Sequence, residues 1–146
     1  MEQLGAAVSD AALSVPDVSK WSVAMHVHHC ALGMVRMCTA VLESSPPAPP
    51  SRFSAPRAFV FATGRIPRGR GKAPEGALPD PDVRPEELRA LLDRSEGLIG
   101  QVARAEPGQW WEHFAFGTMN RDQTLRFIGI HNGHHLRIIA DIRAAS

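Results

Sequence analysis

The chain has 146 residues, 44% of them hydrophobic and 21% charged, with a formal net charge of +1. That is enough chain to bury one sizeable core, and its near-neutral balance supplies no general attraction to nucleic acid. No stretch approaches the roughly 18 apolar residues a membrane-spanning helix needs, and the opening MEQLGAAVSDAALSV carries acids and no basic leader, so a soluble cytoplasmic protein with no nucleic-acid or membrane partner is expected.

Residues 1–14 place Leu4, Ala7, Val8, Ala11 and Ala12 at helical spacing, which predicts a short first helix weakened by Gly5. From Ser22 to about Leu42 no proline occurs, and Val23, Val27, Cys30, Met34, Met37, Cys38 and Val41 recur on one side, which predicts a long helix. Cys30 and Cys38 on that helix stand about 12 Å apart at 1.5 Å per residue, beyond disulfide reach, so both thiols are expected to be reduced and buried. Proline ends the helix in SSPPAPPSRFSAP. A long connection follows, with a short helix in APRAFVFATG stopped by Gly64 and extended coil through RIPRGRGKAPEGALPDPD. Helix resumes after Asp82, with Pro85 near its first position, Glu86 and Glu87 at its positive end and Leu88, Leu91, Leu92, Ile99 and Val102 as its apolar face. Pro107 and Gly108 close it, QWWEHFAFGTM links onward, and Asn120 with Gln123 three residues later reads as a capping box opening the last helix. No strand pair is expected. The reading is a single all-α domain over residues 1–146, a four-helix bundle with a long crossover between helices 2 and 3 inserted at about residues 44–82.

Chemistry concentrates in HNGHH, residues 131–135. At 100° per residue the apolar stripe of the last helix runs close to His131, Ile138 and Ile142; His135 lies about 40° from that line and His134 about 60° on the other side. His131 and His135, one turn apart, can chelate a single ion, provided a third ligand joins them. The earlier helix offers His26, His28 and His29 in MHVHHC, and by periodicity His26 lies nearer the core than His29.

WSVAMHVHHC, with His29 eight residues after Trp21, the long crossover, and the final HNGHH together resemble the DinB/YfiT-like four-helix-bundle superfamily. GRIPRGRGKAPEGALP and WEHFAFGTMNRDQTLRFIGIHNGHHLR resemble more narrowly its DUF1569 branch, and the likeness covers about residues 20–143. The resemblance implies a divalent metal, zinc or nickel, held by His29, His131 and His135, with His134 beside them and His26 as the rival to His29. Many relatives carry Asp and Gln where this chain has Leu32 and Ile138. The resemblance further implies a homodimer and, as an enzyme, a metal-dependent transferase joining a small-molecule thiol to an electrophile, or else a hydrolase. The other reading is a non-catalytic helical binding or assembly protein with core histidines or a structural metal.

Arg52, Arg57, Arg65, Arg68, Arg70 and Lys72 lie together in the connection with no acid between them, which suits either an anion cradle or a solvated loop. Trp110, Trp111, Phe114 and Phe116 are candidates for a pocket wall or for core, with His113 among them. Gly129 and Gly133 suggest close helix approach, within the bundle or across a dimer. No nucleophile elbow, P-loop or dinucleotide fingerprint occurs, so no organic cofactor and no catalytic residue is assigned.

Overall fold

The computed structural model describes residues 1–146 except Arg52, Arg70 and Lys72. Helix α1 (Glu2–Ala7) tightens into a 3₁₀ turn at Val8–Asp10, so the first helix is shorter than its apolar spacing suggests. The chain then crosses to α2 (Val23–Glu43), where Val23 N–H bonds to Leu13 O and Ala24 N–H to Ala11 O. These two bonds, together with Ser22 Oγ accepting from Met25 N–H, satisfy first-turn donors that a helix cannot satisfy itself. Residues 11–22, which include Trp21, thereby anchor the end of α2 that carries His26 and His29.

Helix α3 (Ala55–Thr63) ends at Gly64, whose φ of 64° is the left-handed geometry a glycine reaches without strain. Among the described residues, the rest of the connection carries no further helix or strand beyond a 3₁₀ turn at Glu75–Ala77. Helix α4 (Pro85–Arg104) begins with Pro85, and the Glu87 carboxylate accepts the Arg84 N–H. Helix α5 (Arg121–Ala144) has the expected capping box: Gln123 N–H bonds to Asn120 Oδ1 and Asn120 N–H to Gln123 Oε1. The long helices α2, α4 and α5 pack on one another, and α1 closes against α2 and α5. Their shared core contains Leu4, Val27, Met34, Leu88, Val102 and Ile139, all fully buried. The fold is mostly helical, and helices supply most of its core.

The linker between α4 and α5 departs from expectation. It is an antiparallel hairpin of β1 (Trp110–His113) and β2 (Gly117–Asn120), with Trp111 opposite Met119 and His113 opposite Gly117. Phe116 N–H closes the turn onto His113 O, and Gly117 follows at φ 71°. Strands of four residues carry too little alternation to announce themselves, yet Met119 is fully buried beneath them. His113 Nδ1 accepts from the N–H groups of Ala115 and Phe116, and its ring stacks on Phe116 at 4.3 Å. His113 is therefore a core residue of the hairpin.

Candidate metal centre

Helices α2 and α5 bring His29, His131 and His135 together, with one ring nitrogen of each within 4.8 Å of the others. The His29 and His131 Nε2 atoms are 3.1 Å apart, and the ring centroids of His131 and His135 are 4.7 Å apart. Two ligands at tetrahedral zinc, with bonds of about 2.0–2.1 Å, lie about 3.3 Å from each other. Three convergent imidazoles at this spacing fit a borderline divalent cation after small ring rotations.

The outer contacts decide which nitrogens face inward. His29 Nδ1 lies 2.6 Å from the carbonyl oxygen of Ala77, which can only accept, so His29 carries its proton on Nδ1 and turns a lone pair at Nε2 toward His131. Ala77 sits in the 3₁₀ turn of the crossover, so that connection forms part of the centre's outer wall. His131 Nδ1 and Asn132 Oδ1 are both buried, and among the described residues neither makes a hydrogen bond of good geometry. The Trp21 ring stacks nearly parallel to His135, with centroids 6.2 Å apart, and stands 5.1 Å from His29.

Helical-wheel reasoning sets His26 against His29, and the fold uses both. His26 is 2% exposed and its Nδ1 lies 2.9 Å from His135 Nδ1, behind the cluster rather than in it. His28 points away, its Nδ1 accepting the Asp80 N–H. His134 is half-buried and meets the His135 ring edge-on at 5.0 Å. Burial, followed by the neighbouring imidazoles, holds His131 down at about 3 and His26 at about 4, and pushes His135 lower still. For His29, burial lowers the pKa while the Ala77 carbonyl opposes it. The neutral, ligating form of each ring is thus the stable one near neutral pH.

A family model described as the DinB superfamily matches residues 1–139. The chain belongs to the DinB superfamily. No curated protein and no solved structure matches it. The superfamily's helical character accords with the observed core, and this DinB member's histidine triad can hold a metal ion.

The remaining candidates of this DinB chain lie elsewhere. Arg57 bonds to Thr118 O on the hairpin and Arg68 pairs with Asp141 on α5, while Arg65 is exposed. Arg52, Arg70 and Lys72 lie outside the described residues, so among the described residues the basic run is dispersed. Phe116 lines a cavity of about 270 Å³ with Pro50, Phe53, Ser54, Glu112, Gly117 and Thr118, none of which belongs to the histidine cluster. Trp111 packs against the core, whereas Phe114 is 72% exposed. Among the described residues, a Cβ at Gly129 meets nothing within 4 Å and one at Gly133 meets only the Arg137 guanidinium, so neither glycine serves close approach of another described helix. Both cysteines are free and buried; burial pushes Cys38 up to about 11 and Cys30 higher, which removes either as a nucleophile. Among the described residues no helix is long and apolar enough to cross a membrane.

Proposed function

We propose that this DinB member, a single domain of the DUF1569-like branch, binds zinc or nickel through His29, His131 and His135. The observation that carries this is the convergence of the three imidazoles within 4.8 Å, backed by the Ala77 carbonyl on His29. Three histidine ligands leave a coordination position open, where a bound ion acts as a Lewis acid and lowers the pKa of a thiol or water. His29 and His131 hold their Nε2 atoms inward from facing helices, and Trp21 shields one side from water. The enzymatic reading is transfer of a low-molecular-weight thiol to an electrophile in a cytoplasmic homodimer, with hydrolysis as the neighbouring chemistry.

A second reading, a non-catalytic binding or assembly protein with a structural metal, is favoured by the apolar Leu32 and Ile138, three residues after His29 and His135, and by Ile138 being buried. Metal analysis tests the first step. After zinc or nickel supplementation and removal of excess, the wild type retains about one equivalent, and His29→Ala and His131→Ala lose it; a wild type that retains none refutes the site. Metal-loaded protein then accelerates addition of a small thiol to an electrophile, and failure across several thiols with metal bound selects the second reading. Light scattering at twice the chain mass supports the dimer.

A further inference from the structure

We infer that His26 is a positioning residue for His135: it takes the His135 Nδ1 proton as a hydrogen bond and hands its own proton to Ser19. The inference rests on the metal reading of the three-histidine cluster. His26 and His135 meet Nδ1 to Nδ1 at 2.9 Å, and two neutral imidazoles can share that contact only if one of the two nitrogens carries the proton. On the far side, His26 Nε2 lies 2.9 Å from Ser19 Oγ. Ser19 Oγ already accepts the Trp21 N–H at 3.1 Å and keeps a second lone pair for His26.

The direction of the chain follows from coordination. When His135 ligates through Nε2, the nitrogen that the His26 contact leaves free, its proton must sit on Nδ1. His26 then presents a bare Nδ1 and an Nε2–H, and Ser19 accepts. A metal-ligating histidine ordinarily donates to a carboxylate, carbonyl or water. Here the acceptor is a second histidine, 2% exposed and braced edge-on against Trp21 at 5.4 Å, so the orientation of His135 is carried back to the segment preceding α2. His134, the neighbour in sequence, meets His135 only through a ring edge. The geometry thus gives α2 two tasks on one face, a ligand at His29 and a brace at His26, one helical turn apart.

The experiment is a zinc titration against a chromophoric chelator with wild type, His26→Leu and His26→Asn, alongside long-range proton–nitrogen NMR of histidine tautomers in zinc-loaded wild type. His26→Leu removes the acceptor and weakens zinc binding about 10–100-fold. His26→Asn keeps an oxygen acceptor near the Nδ1 position and restores most of that loss. In the zinc-loaded wild type, His26 is the Nε2–H tautomer and His135 the Nδ1–H tautomer. Equal zinc affinity of the Leu and Asn variants, or His26 found as the Nδ1–H tautomer, overturns the inference while leaving the metal site intact. A wild type that fails to bind zinc overturns the metal site itself. The tautomer measurement needs no variant, so it decides the matter even if His26→Leu does not fold.

Discussion

Acidification from pH 7 to pH 5 destabilises the protein through His113. Its Nδ1 accepts two backbone N–H groups, at 3.0 and 3.2 Å, and its ring is packed against Trp111, Phe116 and Phe127. Protonation would place a third N–H against those two donors in an apolar setting, and burial accordingly lowers the pKa from 6.5 to about 4. The folded-state value lies below the unfolded one, so the stabilisation is present above pH 6.5 and is lost as pH falls toward 4. At pH 5 the unfolded imidazole is almost fully charged and the folded one about one-tenth charged, which amounts to about 2 kcal/mol. Urea unfolding in the presence of a chelator, at pH 7 and pH 5, measures it against His113→Asn, whose side-chain oxygen can accept the same N–H groups but does not titrate. The other buried histidines largely cancel in the comparison, since, of the groups acting on His131, His113 acts most weakly. The wild-type midpoint should fall by about 1 M more than that of the variant. Parallel pH dependences for the two proteins would refute the reasoning.

Ile139→Ala empties a fully buried position of α5 facing the shared core, and a loss of about 2–5 kcal/mol is expected in denaturant unfolding; less than about 1 kcal/mol would mean that this side of the core is not packed as described. Gly129→Ala adds a methyl group to open space on the exposed side of α5 and should stabilise the protein by about 0.5–1 kcal/mol, read as a higher melting temperature. A destabilisation instead would show that a second copy covers that face.

Much of the framework was legible because its punctuation is local. Ser22, Pro85 and the Asn120–Gln123 pair each mark a helix start by satisfying or lacking a backbone donor, and all three stand where they mark. The hairpin was not legible, because its two strands have four residues each and their pairing is held by Trp111 facing Met119 and by the turn at His113. At the centre, one face of α5 pointed to His131 and His135, while on α2 the wheel favoured His26 and only the family resemblance pointed to His29. The two residues lie about 60° apart on the helix, and both are swept by α5 as it crosses α2. The wheel placed His26 in the core, which is where it lies, and gave no sign that it braces a neighbour's ring. Gly129 shows the converse: a glycine in a helix suggests a tight crossing within the bundle or across a dimer, and among the described residues no crossing within the bundle occurs there.

The carbonyl that backs His29 belongs to the peptide of Ala77 rather than to a side chain. A contact of this kind is indifferent to side-chain chemistry, so many point substitutions along the crossover can accumulate without erasing it, as long as residue 77 stays small enough for its buried place, Gly76 leaves room for Arg36, and Gly64 and Gly69 keep their left-handed backbone. Insertions and deletions behave differently, because changing the chain length between α3 and α4 moves the carbonyl off the ring. The crossover is therefore constrained in path far more than in composition, and for this centre a shift in loop length is the more damaging genetic lesion.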